Sequence, residues 1–190
     1  GRDDFGLNYQ IEVLLARAQD VPVKSIMALV QHPLNSIMTL QEGGAKRPRE
    51  LKGKKIGYPG IAYNEPMIDT MLKSDGISLP DVSMVNVGFD LVPALISKKV
   101  DAIVGAYWVH ESISAELEGF PVNVMRMEEY SVPDFYEIVL VTSENMLSER
   151  PDVVKSFVGA VIKGYEDAIQ DPQGSIDILA RMKPEINQDI

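Results

Sequence analysis

The sequence predicts an α/β protein with mainly parallel sheets, arranged in two lobes. Strand-like apolar stretches alternate with stretches whose apolar residues recur every three or four positions, along all 190 residues. The sequence also opens on Gly1-Arg2-Asp3-Asp4-Phe5-Gly6-Leu7-Asn8-Tyr9, which reads as a buried strand running straight to a site residue. Such a strand needs partners, so the chain is expected to be the middle of a longer two-lobed protein whose first lobe is incomplete. The expected division is a remnant of lobe 1 with a hinge strand over 1–30, lobe 2 over 31–130, and a return strand with the C-terminal helices of lobe 1 over 131–190.

The elements follow from local pattern. Apolar spacing predicts a helix over Tyr9 to Ala18, and Val23 to Gln31 reads as a strand. The basic run Lys46 to Lys55, which carries Glu50, reads as a solvated helix-turn before a strand over Lys55 to Tyr58. Then come a helix over Tyr63 to Ser74, a strand over Val82 to Val87, a helix over Leu91 to Lys98, a strand over Ala102 to Gly105 and a helix over His110 to Leu117. Val122 to Pro133 is the least regular segment and is expected to cross between lobes, and Glu137 to Thr142 reads as the buried strand that returns to lobe 1. The last helices, Pro151 to Gln170 and Pro172 to Met182, each place proline in the first turn, where the missing N–H costs nothing.

Composition narrows the function. Net charge is −10 and the pI is near 4.7, with Lys and Arg clustered only at residues 46–55, so no nucleic-acid partner is expected. Zero cysteines exclude disulfides, thiolate metal sites and cysteine nucleophiles. The apolar run from Val100 to Trp108 contains Asp101 and falls far short of the roughly 18 residues of a membrane span. His32 and His110 lack the spacing of a helical zinc site, and no GxSxG, GxxxxGK[ST] or GxGxxG motif is present. Neither metal nor cofactor is expected.

Three segments have the residue types for ligand binding. Lys55-Ile56-Gly57-Tyr58-Pro59-Gly60-Ile61-Ala62-Tyr63-Asn64 is a strand, a turn and a helix start. It is either a pocket of unpaired helix N–H groups for a polar head group or an ordinary connecting loop. Open sheets bind ligands beyond the carboxyl ends of their strands, where this loop lies. In Gly105-Ala106-Tyr107-Trp108-Val109-His110-Glu111 a buried strand delivers two aromatics and an acid. Trp108 either stacks on a flat heterocycle or packs between helix and sheet. Glu111 either accepts two hydrogen bonds from an amidine-like edge or is a solvated first-turn residue. Tyr136 and Glu137 again set an aromatic beside an acid, and a carboxylate at the edge of a buried strand needs a partner, either ligand or backbone. Tyr9 completes the set by following the first strand, although Tyr9 and Tyr136 equally suit filling a lobe interface.

The stretches FGLNYQIEVLLARAQDVPVKSIMALVQHPLNSIMTL, LKGKKIGYPG, VNVGFDLVPALISKKVDAIVGAYWVHE, EEYSVPDFYEIVLVTSE and KGYEDAIQDP resemble the thiamine-precursor group of ABC-importer substrate-binding proteins, the NMT1/THI5-like family. The resemblance covers nearly the whole chain. It implies a type II periplasmic-binding-protein fold, with two lobes joined by crossing hinge strands that trap a formylaminopyrimidine or hydroxymethylpyrimidine; relatives of the group bind riboflavin or alkylsulfonates. It puts ligand contacts on Tyr9, on Tyr58, Pro59, Gly60, Ile61, Ala62, Tyr63 and Asn64, on Tyr107, Trp108 and Glu111, and on Tyr136 and Glu137. It implies an ABC permease and ATPase as membrane partners of a bacterial protein that is periplasmic or an extracellular lipoprotein, with the export signal outside this chain. The alternative of another class is a pyrimidine-synthase-type enzyme that consumes its own histidine and a bound pyridoxal phosphate. That enzyme needs a cysteine-rich iron-binding segment where this chain has Phe135-Tyr136-Glu137. An incomplete first lobe is expected to expose apolar faces near Phe5 and Val23 and so to favour dimers or aggregates.

Overall fold

In a computed structural model that describes residues 3–184, the chain forms β1 (Phe5–Asn8), α1 (Gln10–Arg17), β2 (Val23–Val30), β3 (Asn35–Leu40), β4 (Lys55–Tyr58), α2 (Asn64–Ser74), β5 (Ser83–Asn86) and α3 (Leu91–Ile96). It continues through β6 (Ala102–Tyr107), α4 (Glu111–Leu117), β7 (Val122–Arg126), β8 (Ile138–Ser143), α5 (Glu144–Glu149), α6 (Pro151–Gln170) and α7 (Pro172–Met182). Two compact units result. The first holds the described residues up to Val30 and those from Ile138 onward, and the second holds Gln31–Glu137. The change of unit thus falls at Glu137 rather than at residue 130, because 131–137 stay packed with the second unit.

The first unit has one three-stranded sheet, in the order β1-β8-β2, with both pairings antiparallel. Its small core gathers Val13, Val139 and Val141. Phe5 stacks on Phe157 with ring centroids 3.9 Å apart, and both Phe5 and Val23 are half-buried. Apolar exposure lies beside those two residues, on Leu7 of β1 and on Val21, and extends to Leu14 and Leu15 of α1 and to Ile162, Ile169 and Met182 of α6 and α7. Helix α5, which the sequence pattern does not anticipate, is short and capped by Ser143, whose hydroxyl accepts the Met146 N–H at 3.1 Å.

The second unit has a five-stranded sheet in the order β5-β4-β6-β3-β7. Strands β5, β4 and β6 are parallel, whereas β3 runs antiparallel to both β6 and β7. The expectation of mainly parallel sheets is therefore corrected: alternation of strands and helices records element type and carries no strand direction. Two strands depart from the sequence pattern. β3 is buried along nearly its whole length and carries Asn35, Ser36 and Thr39, whose polarity masks a strand. Ser36 donates to the Ala106 carbonyl at 2.9 Å and Thr39 to the Ala45 carbonyl at 2.6 Å, so both hydroxyls are satisfied inside the unit. Val122–Arg126, expected as an irregular crossing, is edge strand β7, followed by a 3₁₀ turn over Met127–Tyr130.

Two apolar layers flank this sheet. Ile37, Ile56, Val104, Ile68, Met71 and Leu72 form one with α2, and Met38, Ile103, Leu91 and Leu95 form the other with α3. Among the described residues no helix is long and apolar enough to cross a membrane.

The basic run folds into a 3₁₀ turn, Pro48–Leu51, whose Pro48 and Leu51 are buried. Arg47 reaches Asp75 at the end of α2 with both Nε, at 2.9 Å, and Nη2, and Asp75 also accepts the Arg49 N–H at 2.9 Å. The Arg47 hydrogen bond, aided by that N–H, holds the Asp75 carboxyl below the usual carboxylate range. A lowered folded pKa makes this contribution complete above the unfolded value near 4 and removes it as pH falls through the lower folded value. Asp75→Asn is expected to melt a few degrees below the unaltered chain at pH 7, with the gap closing in acid. Thermal melts across that range check it, and a gap independent of pH would refute it.

Candidate functional site

Seven of the sequence-predicted residues lie on the loop from β4 into α2. Backbone pairing and one close approach seat this loop against its neighbours. The Val87 N–H donates to the Tyr58 carbonyl at 3.0 Å. On the other side stands Gly105, which has φ +84° and sits in a bulge where Ser36 opposes Ala106 and Ile37 opposes Val104. A Cβ on Gly105 would lie 2.9 Å from Pro59 Cδ and 3.3 Å from Asn64 Nδ2, so the bare glycine is what lets the loop close on β6. Strand β6 continues through this bulge to Tyr107 rather than stopping at Gly105.

Pro59 and Ile61 are half-buried, Gly60 and Ala62 are exposed, and Tyr63 is buried. Tyr58 is half-buried; burial, then a hydrogen bond to Glu65, pushes its hydroxyl above the usual range. Asn64 opens α2 and is fully buried, yet neither its Nδ2 nor its Oδ1 has a hydrogen-bond partner. A buried polar atom without a partner costs on the order of 1–3 kcal/mol, so this amide holds an unmet donor and acceptor beneath the loop. The start of α2 is poor ground for an anion. Asn64 donates its N–H to the Ile61 carbonyl at 3.1 Å, Pro66 has none to give, and Glu65 brings a carboxylate to the first turn.

Tyr107, Trp108 and Glu111 lie at the carboxyl end of β6, and the protein already occupies much of their chemistry. Glu111 accepts the Tyr107 N–H through Oε2 at 2.6 Å, while its Oε1 lies 3.0 Å from His110 Nδ1. Trp108 donates its indole N–H to the Pro33 carbonyl at 3.2 Å, and the Arg126 guanidinium lies 3.9 Å over its ring. The ring also packs beside the Met38 and Leu95 layer. The open stacking platform and open acceptor that the sequence suggests are thus engaged within the protein in this structure.

Glu137 is fully buried and belongs to the same end of the sheet. Its Oε2 accepts the N–H groups of Leu34 at 2.8 Å and Asn35 at 3.3 Å; its Oε1 accepts Asn35 Nδ2 at 2.8 Å and the Tyr107 hydroxyl at 3.2 Å. The partner that a buried acid requires is therefore backbone and neighbouring side chains. Tyr136 beside it is 45% exposed. Asn35 Oδ1 is another buried atom without a partner. Neither Asn35 nor Arg126 stands out in the sequence; an asparagine that opens a strand just after Pro33 carries no periodic signal. In the first unit, Tyr9 is half-buried, stands at the position just before α1, and donates its N–H to Asn8 Oδ1 at 2.8 Å.

The model of one protein family, described as NMT1/THI5 like, matches residues 1–175. The chain belongs to that family. It is 36% identical, over 98% of its length, to the formylaminopyrimidine-binding protein of Halalkalibacterium halodurans, and covers 57% of that protein. It is 25% identical to the 4-amino-5-hydroxymethyl-2-methylpyrimidine phosphate synthase of Schizosaccharomyces pombe, with all of this chain and 57% of that protein covered. The NMT1/THI5-like chain thus spans somewhat over half the length of these curated relatives. Among solved structures, the periplasmic aliphatic sulphonate binding protein of Escherichia coli superposes with a TM-score of 0.82 at 15% identity, over 99% of this chain and 63% of that one. The fold is that of the periplasmic binding proteins.

Proposed function

We propose that this NMT1/THI5-like chain is part of the solute-binding component of an ABC importer. In this reading it captures a small pyrimidine thiamine precursor outside the cytoplasm of a bacterium and passes it to a membrane permease and ATPase without chemical turnover. The observation that carries the reading is the Asn64 amide, fully buried under the β4–α2 loop with donor and acceptor both unpaired. An aminopyrimidine edge offers a complementary acceptor and donor, and a ligand lacking them leaves the amide unpaired. Glu65 in the first turn of α2, and the scarcity of free N–H groups there, favour a neutral nitrogen heterocycle over a sulfonate. The relative that binds formylaminopyrimidine supports the ligand class. The synthase relatives support an enzyme, but zero cysteines leave this chain without the cysteine-rich segment which that resemblance calls for. In the second unit, Tyr58 to Asn64, with Tyr107 and Tyr136, are assigned to ligand contact, and Glu111 and Glu137 to holding the site in shape.

Calorimetric titration of the chain with formylaminopyrimidine, hydroxymethylpyrimidine, riboflavin and taurine tests this. Saturable binding of a pyrimidine in preference to the other two is expected, and preference for taurine or riboflavin would overturn the ligand assignment. Light scattering on the same sample reads the self-association expected of the exposed apolar side chains of α1, α6 and α7.

A further inference from the structure

The structure assigns the stacking role in the second unit to Phe89, a residue outside the candidate ligand-binding motifs of the sequence. This inference rests on the proposed capture of a flat heterocycle and names the aromatic that covers it. Phe89 is 82% exposed, the most exposed of the large apolar side chains among the described residues. A single exposed apolar residue is ordinary on a protein surface; what sets this one apart is where it stands.

Strand β5 runs parallel to β4 with Asn86 opposite Tyr58, so the β5–α3 connection emerges at the same sheet end as the β4–α2 loop. That is the end where open α/β sheets bind ligands. Phe89 follows Asn86 by three residues, a reach of at most about 11 Å. The two connections are also fastened together. Asn86 Oδ1 accepts the Gly88 N–H at 3.0 Å, and the same side chain lies against Gly60, where a Cβ would come within 2.6 Å of Asn86 Nδ2. Asn86 therefore fixes the turn that presents Phe89 relative to the loop that holds Asn64.

Trp108, the aromatic that the sequence favours for stacking, carries Arg126 on its ring and packs against the Met38 layer. Phe89 has no such cover. A phenyl ring is apolar on both faces and packs well on a flat heteroaromatic, with no hydrogen bond to lose on doing so. Asn64 would then read the polar edge of the ligand and Phe89 its face.

Phe89→Ala, Phe89→Trp and the unaltered chain are titrated with formylaminopyrimidine, riboflavin and taurine, with a thermal melt of each. Loss of one stacking contact is expected to weaken the bound heterocycle about tenfold or more. Phe89→Trp is expected to hold affinity within about threefold, since it restores an aromatic face. Taurine binding and the melting temperature are expected to stay unchanged, because Phe89 is exposed. If the unaltered chain binds the pyrimidine and Phe89→Ala binds it equally well, the Phe89 assignment fails while the proposed function stands. If the unaltered chain binds riboflavin but not the pyrimidine, the ligand assignment fails and the Phe89 assignment is judged by the loss on riboflavin. Equal weakening of taurine, or no binding of either heterocycle, overturns the Phe89 assignment.

Discussion

Glu137→Ala is expected to destabilise the protein by about 3–5 kcal/mol, enough to rank among the most damaging single substitutions a domain of this size undergoes. The carboxylate is fully buried and accepts from two backbone N–H groups, the Asn35 amide and the Tyr107 hydroxyl. Truncation removes the acceptor and leaves the donors. Each buried donor without a partner costs roughly 1–3 kcal/mol, and water entering the vacated space recovers part of the sum. For a chain of this size a loss of about 1 kcal/mol lowers Tm by roughly 2–4 °C, so a drop of roughly 6–20 °C is expected. Glu137→Gln keeps the shape and one acceptor but sets a new NH₂ among four donors, which predicts an intermediate loss. Thermal melts of both variants decide the matter. A Glu137→Ala protein within about 1 kcal/mol of the unaltered chain would show that the network is not what secures β3 to the end of the second unit.

Helices with strong apolar spacing are legible in the sequence. The two proline-led helices, α6 and α7, begin and end where the pattern puts them, because proline fixes the first turn and the apolar stripe fixes the length. Boundaries set by backbone dihedrals are not. Helix α3 stops at Ile96 rather than Lys98, since Lys98 adopts φ +58° and turns the chain toward β6. Strand β3 escapes a sequence reading for a physical reason: a strand buried on both faces does not alternate, and its polar residues hydrogen-bond inward instead of marking a solvent face. Strand direction is illegible as well. Nothing local in NSIMTL records that β3 runs antiparallel between β6 and β7.

At the candidate site the sequence picks out side chains of the right chemical type and misjudges which of them the protein itself already engages. Residue type indicates what a side chain is able to do, whereas its availability depends on partners distant in the chain. Trp108 is covered by Arg126, eighteen residues on, and Glu137 is engaged by Leu34 and Asn35, about a hundred residues earlier. Conversely, the sequence places Asn64 among the candidate contacts only as one residue of the Tyr58 to Asn64 loop, and nothing local marks it as a buried amide with both polar atoms unpaired. Phe89 lies inside the stretch VNVGFDLVPAL, yet a phenylalanine between a strand and a helix ordinarily signals core.

Gly105→Ala is expected to cost about 2–4 kcal/mol and to abolish ligand binding wherever the fold survives. Two terms add. An alanine at φ +84° incurs about 1–2 kcal/mol of backbone strain. Its Cβ also meets Pro59 Cδ at 2.9 Å and Cγ at 3.0 Å, atoms of a rigid ring that move only if the backbone moves; such overpacking costs about 1–3 kcal/mol. The cheaper relief is displacement of the β4–α2 loop away from β6, which carries Tyr58 and Asn64 out of register with Tyr107. Gly60→Ala is the control. It has similar strain at φ +80°, but its Cβ meets the terminal amide of Asn86, a side chain that yields at the cost of its hydrogen bond to Gly88 and without moving β6. Affinity is therefore expected to fall further in Gly105→Ala than in Gly60→Ala, even at matched stability. Trp108, the only tryptophan, stands three residues beyond Gly105, so its emission reads the displacement alongside melts and titrations. A Gly105→Ala protein with unchanged emission and affinity would mean that the loop does not depend on this approach to β6.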